Sequence, residues 1–439
     1  MKKLLLALVL LMGVFGLAAC RTTDDNGGDT PPPSNGQNGD VTPDPDPDPD
    51  PHEPDDYVQG ITDTTIIVGN TAATEGVFAP VGIPFNAAIQ AYFDKVNAEG
   101  GIGGRTIQFI HYNDDFNAAT GRANTERLVE EDQVFALVGH FGTPTVGATF
   151  DYLNELGVPR VYYATGISAL FNPQARGFER SSFPVQPIFD AEGEVMVARA
   201  VEQYEASRIG VIYSSADDGQ GILNGVRLRA GILDIPLVEY SVEPDGDMSA
   251  AAQAIVNANV DVVIVAANQA PFIAITKALD EANNTKPVFT SYVSANDSQI
   301  IELEDVVLQG KFPIYANAWV NIFDEDGGFV PGYLEFAATV PEYAANAFAM
   351  AGYIAAHFFV EGLRRVGDGE LTWESFINAM ESAPIENPMG GIVDFANGRR
   401  TGTQAMSLLV ATITDTEDGR SYVWEIVEPI QDINEILGE

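Results

Sequence analysis

Two turns rich in glycine and threonine, Gly142-Thr143 and Thr165-Gly166, have the residue types that can hold a small anion. Each turn follows an apolar segment, and the first turn opens a helical pattern at 145–156. A helix start has unpaired backbone N–H groups and a partial positive charge, so it attracts anions. The alternative is ordinary turn chemistry, because glycine and threonine are also common in turns that bind nothing.

A regular alternation of strand and helix patterns must position these turns. The first series predicts four strands, at 65–69, 106–112, 134–138 and 159–163. The second series begins after Pro184-Val185 and predicts strands at 208–213, 236–242, 261–266 and 287–291. Helical patterns separate these strands, and the chain becomes mainly helical after about 315 before two closing strands at 407–414 and 423–427. This order predicts an α/β fold with parallel sheets, whose ligands bind at the carboxyl ends of the strands.

The first twenty residues predict an export signal. Lys2 and Lys3 precede an apolar run that is too short to span a bilayer, as in a signal peptide at 1–19. The run ends in Leu17-Ala18-Ala19-Cys20, which resembles a bacterial lipoprotein cleavage box, so we expect Cys20 to carry the lipid. The alternative is a plain secretory leader with an incidental cysteine. Cys20 is the only cysteine, so no disulfide is expected.

Residues 20–56 predict a disordered tether, because Gly, Asn, Pro and Asp dominate and almost nothing is apolar. The remaining stretch of about 380 residues is long enough for two domains. The formal net charge of −41 argues against a nucleic acid or an anionic lipid surface as a partner, because both would repel the chain.

Short segments in a fixed order span nearly all of the remaining chain. They are Val96 through Arg105, Asn113-Asp114-Asp115, Ala123-Asn124 with Leu128-Val129, Val138-Gly139-His140, Gly142-Thr143, Gly157-Val158-Pro159, Ala164-Thr165, Tyr343-Ala344-Ala345 through Arg364-Arg365-Val366-Gly367, and Pro388-Met389-Gly390-Gly391. In their order and spacing they resemble the extracytoplasmic solute-binding proteins of branched-chain amino-acid importers, the Leu/Ile/Val-binding type.

The resemblance implies a type I periplasmic-binding-protein fold, with two Rossmann-like lobes joined by three crossings and a ligand cleft between them. Carried over to this chain, the first lobe is 61–184 plus 316–409, and the second lobe is 185–315 plus 410–439. Closure of the lobes would bury the solute, so that a few polar contacts in a dry cleft become selective.

The resemblance also implies site residues in the first lobe. The ligand carboxylate would bind the hydroxyl and backbone N–H at Gly142-Thr143 and the hydroxyl of Thr165, and the carbonyl of Tyr163 would accept from the ligand ammonium. Phe78 and Val81 would line the side-chain end of the pocket, with packing in the core as the alternative.

The second lobe departs from the family pattern at two contacts. Asp218 stands where a tyrosine is common, and an acidic residue for the ammonium is common near Tyr292, where this chain also offers Asn296 and Asp297. Asp218 is therefore expected either to supply the negative charge that binds the ligand ammonium or to cap the following helix. These two departures also leave open a ligand other than a plain aliphatic amino acid. Further candidates follow the most apolar strand, at Asn268 and Gln269.

The sequence does not indicate a metal site or a catalytic site. The four histidines lack metal-site spacing, and the acidic run that begins at Asp324 breaks the calcium-loop pattern at Gly328 and Phe329. His140 is expected to line the cleft or to pack under the turn. Asp114-Asp115 is the best carboxylate pair, but the family places it at a strand end as structure. No sequence motif of an activated nucleophile or a phosphate loop is present, so we expect no cofactor, no metal and no catalysis.

These observations predict a monomeric solute-binding lipoprotein that captures a small amino acid, of the branched-chain type or related to it. Its partners would be the solute, the membrane through the lipid on Cys20, and the permease and ATPase subunits of an ABC importer. The alternative is a sensing receptor that uses the same fold for another small solute, such as an amide or a carboxylate.

Overall fold

The computed structural model of the protein describes residues 58–324, 326–416 and 419–439. The predicted signal peptide, Cys20 and the tether up to residue 56 lie outside these described residues. Within them the chain forms two main sheets, each covered by helices on both faces, and the protein therefore has two α/β lobes.

The sheet of the first lobe has five parallel strands. They are β1 (Thr65–Ala72), β2 (Thr106–Asn113), β3 (Ala136–Phe141), β4 (Arg160–Ala164) and β5 (Ser182–Phe183), and their order across the sheet is β2-β1-β3-β4-β5. The intervening helices are α1 (Ala79–Ala98), α2 (Ala118–Glu130) and α3 (Thr143–Leu156). Every residue of β3 is buried, as expected for a central parallel strand with helices on both faces.

The second lobe begins with α4 and continues the same alternation. Its elements are α4 (Phe189–Tyr204), β6 (Ile209–Ser214), α5 (Asp217–Ile232), β7 (Leu237–Val242), α6 (Ser249–Asn257), β8 (Val262–Ala266), α7 (Gln269–Glu281), β9 (Val288–Thr290), α8 (Asp297–Glu302), α9 (Glu304–Gln309) and β10 (Ile314–Ala318). Helices α4 and α5 pack together on one face of the sheet, and α6 and α7 pack together on the other.

The chain then returns to the first lobe and finishes in the second. The returning elements are α10 (Pro331–Thr339), α11 (Ala347–Val366), α12 (Trp373–Glu381), and the small hairpin of β11 (Ile385–Glu386) and β12 (Ile392–Val393). The final elements are β13 (Ala405–Thr416), β14 (Gly419–Asp432) and α13 (Ile433–Leu437). Helix α11 packs on α1 and so completes the second helical layer of the first lobe.

The second sheet has the order β14-β13-β10-β9-β8-β6-β7. Strands β6 to β10 pair in parallel, whereas β13 pairs antiparallel to β10 and β14 pairs antiparallel to β13. Short 3₁₀ helices occupy Gly76–Phe78, Ser168–Leu170, Gly177–Ser181, Tyr292–Ser294, Pro341–Tyr343 and Ala396–Gly398.

Three crossings join the lobes, at 184–188, at 319–330 and at 399–404. The first and third run side by side, because the N–H and hydroxyl of Thr403 both donate to the carbonyl of Val185, at 2.8 and 2.6 Å. Two boundaries drawn from the sequence, 315/316 and 409/410, fall inside β10 and β13. Since these strands pair over Tyr315–Val410 to Ala318–Ser407, both belong to the second sheet, and the lobe boundaries shift to the strand ends.

Within the described ranges, no helix combines the length and the apolar character needed to cross a membrane.

Candidate functional site

A cavity of about 220 Å³ lies between the lobes. Its walls come from segments that follow the carboxyl ends of strands in both sheets, such as Thr143 after β3, Thr165 after β4, Asp218 after β6 and Asn268 after β8. The crossings add Gln186 and Trp319. This is the place where ligands bind in α/β proteins with parallel sheets.

The structure brings most of the predicted site residues to this one cavity. Those that line it are Thr143, Thr165, Asp218, Asn268, Tyr292 and Asn296, together with Phe78, Val81 and Gln269. Gly142, Tyr163 and Asp297 do not line it. The side chain of Tyr163 instead contacts Ser182, with the two hydroxyl oxygens 2.8 Å apart.

The pairing of β3 and β4 is irregular next to Tyr163. Val138 pairs with Val161 and His140 with Tyr163, so Gly139 and Tyr162 lie between paired positions. Both have left-handed backbones, with φ of 70° and 66°. A buried tyrosine rarely adopts this conformation, and such strain is common at binding sites. Tyr162 and Ala164 line the cavity, whereas the residue between them does not.

The first lobe contributes a pair of hydroxyl groups at the start of a helix. The Oγ1 atoms of Thr143 and Thr165 lie 2.8 Å apart, and Thr143 is the first residue of α3. Gly142 precedes the helix with φ of 87°, and a Cβ there would lie 2.9 Å from the ring of Phe116. The helix start and the two hydroxyls together form a corner that can hold a carboxylate.

The second lobe contributes acceptors. Asp218 is the second residue of α5, whose N-cap is Ala216, so Asp218 does not have the N-cap position. Burial raises the pKa of the Asp218 carboxyl, although hydrogen bonds from the backbone N–H groups of Gly219, Asp218 and Asn268 oppose that shift. Next to it, the buried Oδ1 of Asn268 has no hydrogen-bond partner in the described structure. Two adjacent acceptors, one of them a carboxylate, can hold an ammonium group.

Asn296 adds a hydrogen-bond donor that has no partner among the described residues. It is 7 % exposed, and its Oδ1 accepts from the N–H of Ser298 at 3.0 Å as the N-cap of α8. Its Nδ2 is buried and has no partner within the described residues. Buried polar atoms are nearly always paired, so this donor and the Asn268 acceptor are the groups that a polar ligand would satisfy.

A hydrogen-bonded chain forms the floor of the cavity. The hydroxyl of Tyr162 donates to Oε1 of Gln186 at 2.9 Å, and Nε2 of Gln186 donates to the hydroxyl of Tyr292 at 2.9 Å. The Tyr292 hydroxyl in turn donates to the carbonyl of Pro187 at 2.8 Å. Because Tyr162 belongs to the first lobe, Tyr292 to the second and Gln186 to a crossing, the chain links both lobes at the hinge.

Seven aromatic residues that line the cavity are not among the site residues predicted from the sequence. They are Phe85, Phe116, Phe141, Tyr162, Phe189, Trp319 and Phe348. Phe141 directly precedes the predicted turn at Gly142, and Phe116 follows the strand end at Asp114-Asp115. Proximity to predicted strand ends was therefore a usable signal for these two residues.

The remaining polar candidates are structural. His140 is fully buried, with Nε2 2.7 Å from Oγ1 of Thr149, and burial lowers its pKa to about 3. Asp114 accepts from the hydroxyls of Thr71 and Thr145 at 3.1 and 2.8 Å. Within the described residues, no group of three or more His, Cys, Asp or Glu side chains could hold a metal ion.

The sequence matches a known protein family. The family model described as periplasmic binding protein matches residues 65–419. The chain belongs to the type I periplasmic binding proteins. An amino acid binding protein of Pseudomonas aeruginosa is 21% identical to it over 332 residues, which are 74% of this chain and 84% of the relative.

Solved structures of this family share the fold. A fatty acid ABC transporter substrate-binding protein from Thermomonospora curvata has a TM-score of 0.71 at 19% identity, covering 87% of this chain and 96% of its own. A branched-chain amino acid ABC transporter protein from Thermus thermophilus with bound valine has a TM-score of 0.68 at 16% identity, covering 85% and 98%. A leucine-binding protein from Thermotoga maritima has a TM-score of 0.67 at 15% identity, covering 84% and 99%.

Membership in this family establishes the general role of this periplasmic binding protein. Proteins of this family work outside the cytoplasm, bind small solutes and deliver them to ABC permeases, and they are not enzymes. The predicted α/β fold with two lobes and the predicted family are thereby confirmed.

Proposed function

We propose that this periplasmic binding protein captures a small apolar α-amino acid, of the branched-chain type or related to it, for an ABC importer. One observation carries the proposal: the first lobe brings Thr143 and Thr165 to the same cavity to which the second lobe brings Asp218 and Asn268. Donors and acceptors on opposite lobes suit the carboxylate and the ammonium of one amino acid.

The charges of the cavity support an ammonium-bearing ligand. Among the described residues that line it, Asp218 is the only carboxylate, and there is no lysine, arginine or histidine. A ligand with net negative charge would meet Asp218 without a compensating cation. A zwitterion brings its own cation to Asp218, and its carboxylate then needs only the hydroxyls and the start of α3.

The proposal includes the attachment of the protein to the membrane. Lipid on Cys20 would hold the protein at the outer face of the cell membrane, and the segment up to residue 56 would act as a tether. The folded part would act as a monomer and pass its solute to a permease driven by a separate ATPase subunit. Metabolic labelling with a fatty acid tests the anchor, with Cys20→Ser as the variant that should lose the label.

A second candidate is a receptor for an apolar carboxylate or amide that reports the solute to a membrane protein. The aromatic lining of the cavity favours it, and so does the structural similarity to the fatty acid binding protein from Thermomonospora curvata. Such a ligand would use Thr143 and Thr165 but would leave Asp218 without a cationic partner.

Uptake of labelled leucine by cells that lack the gene distinguishes transport from sensing. Transport predicts that deletion reduces uptake at low leucine concentration and that the wild-type gene restores it, whereas the Asp218→Asn gene does not. Unchanged uptake in the deletion strain, for leucine and for every other amino acid that the purified protein binds, would contradict the transport role.

A further inference from the structure

Six aromatic side chains form a continuous wall in the cavity. Phe78 stacks on Phe116 with ring centroids 3.9 Å apart, and Phe116 meets Phe141 at 6.4 Å. The contacts continue from Phe141 to Phe85 at 5.5 Å, from Phe85 to Tyr162 at 5.8 Å, and from Tyr162 to Trp319 at 6.3 Å. We call these six residues the aromatic wall.

Aromatic groups also reach the cavity from the second lobe. Phe189 and Tyr292 both line it, and their ring centroids lie 5.9 Å apart. Aromatic rings attract one another in tilted and edge-to-face arrangements beyond what their buried area alone provides. A ring-bearing ligand would therefore gain contacts in this cavity that a branched aliphatic side chain cannot make.

The size of the cavity agrees with a ring. An apolar protein cavity of ~150 Å³ is enough to bind benzene. The cavity between the lobes has about 220 Å³, so it has space for a ring and for an additional polar head group. A side chain as small as that of valine would leave part of the aromatic wall without contacts, and unfilled apolar space weakens binding.

We propose that the preferred ligand is an aromatic α-amino acid, with its ring against the aromatic wall, its carboxylate at Thr143 and Thr165, and its ammonium at Asp218. This inference rests on the proposed amino-acid function, and it replaces the branched-chain side chain of that proposal by an aromatic one. The polar groups hold the part that all amino acids share, and the aromatic wall selects among their side chains.

A quaternary ammonium ligand is the other chemistry that aromatic groups and one carboxylate can recognise. It would leave the Thr143–Thr165 corner and the buried Asn296 Nδ2 donor without an acceptor. The donors in the cavity therefore favour a ligand that carries a carboxylate.

Calorimetric titration of the full protein, freed of bound solute by partial unfolding and refolding, tests this preference. L-Phenylalanine should bind at least about tenfold more tightly than L-leucine or L-valine, and choline should not bind. Tighter binding of leucine or valine would overturn the aromatic preference and leave the proposed amino-acid function standing. Binding of choline alone, or of no amino acid at all, would overturn both.

Matched variants connect the preference to the aromatic wall. Phe78→Leu removes a half-buried ring of the wall and should weaken phenylalanine binding about three- to tenfold, while leucine binding changes less than twofold. Phe150→Leu changes another half-buried ring, on α3, that does not line the cavity, and should affect neither ligand. Equal losses for phenylalanine and leucine in Phe78→Leu would contradict the role of the wall.

Discussion

The hydroxyl oxygens of Thr143 and Thr165 lie 2.8 Å apart, although the two residues are 22 positions apart in the chain. They meet because β3 and β4 are parallel neighbours, so the turns after both strands emerge at the same edge of the sheet. Thr143 also begins α3, and because Pro144 has no N–H, the helix start adds the backbone N–H of Thr143 and the positive end of the helix to the two hydroxyls. We infer that this pair holds the carboxylate of the ligand.

Removing either hydroxyl should weaken amino-acid binding. Each of Thr143→Val and Thr165→Val keeps the shape of the side chain but deletes a hydrogen bond to a charged group, which is worth about 1.5–3 kcal/mol. We expect each to raise the Kd of the ligand about 10- to 100-fold, measured by titration calorimetry. The double variant should lose less than the sum of the two, because the hydroxyls are in contact.

Thr290→Val is a suitable control for the threonine variants. Thr290 is buried at the end of β9, its Oγ1 has no partner in the described structure, and it does not line the cavity. It should leave the Kd unchanged. Equal losses of affinity in Thr290→Val and Thr165→Val would show that a general effect on the fold, and not the hydroxyl pair, controls binding.

Asp218→Asn should weaken binding of the amino acid but not of its analogue without the amino group. The substitution removes the charge that faces the ligand ammonium, and we expect a loss of about 10- to 100-fold in affinity. Asp217→Asn is the matched control, because Asp217 is exposed at the preceding position of the same helix and does not line the cavity. An unchanged Kd in Asp218→Asn would contradict the assignment of the ammonium site.

Affinity should fall as the solution becomes acidic. Burial raises the pKa of Asp218 above its usual value, so this carboxyl becomes neutral at a higher pH than an exposed aspartate. The protonated form no longer attracts the ammonium, and the Kd should therefore rise as pH falls through the raised pKa. The Asp218→Asn variant should lack this dependence, and titrations of both proteins in a pH series provide the comparison.

Glu192 should make stability depend on pH in the opposite sense from most acidic residues. It is fully buried, and burial raises its pKa to about 7, although hydrogen bonds from the Tyr292 N–H, Ser291 and Asn317, together with Arg199, oppose that shift. Because the folded state holds the proton more tightly than the unfolded state, the free energy of unfolding should fall as pH rises from 4.5 to about 7. The decrease should be on the order of 3 kcal/mol.

Glu192→Gln isolates this effect. The glutamine can keep one oxygen as acceptor for Tyr292 N–H and Asn317, and its amide can donate to Ser291. Urea unfolding should then show a weaker decrease in stability over the same pH range, and at pH 8 the variant should be at least as stable as the wild type. The same pH dependence in both proteins would assign the effect to another group.

Most of the fold could be predicted because the periodic patterns are strong. The strand predicted at 134–138 is β3 (Ala136–Phe141), and the helix predicted at 117–131 is α2, which Asn117 caps by accepting from Ala119 and Thr120 N–H groups. Strand β10 was missed in a stretch described as mainly helical. Its pairing depends on β9 and on β13, about ninety residues later, and such long-range contacts leave little local signal.

The candidate site was predictable where turns identify strand ends. Thr143 and Thr165 follow that rule, as does Asp218. Gln186 and Trp319 could not be found in this way, because they belong to crossings whose course depends on how the two lobes pack. Tyr162 lies at the irregular pairing of β3 and β4, and nothing in the sequence indicates a left-handed backbone at a tyrosine.

Titration of the protein, freed of bound solute, with three related ligands tests the amino-acid site most directly. The ligands are L-leucine, 4-methylpentanoate, which lacks the amino group, and 3-methylbutylamine, which lacks the carboxylate. If the two lobes hold the two charged groups, leucine should bind at least about tenfold more tightly than either analogue. Equal or tighter binding of 4-methylpentanoate would contradict the amino-acid site and identify the cavity as a receptor for an apolar carboxylate.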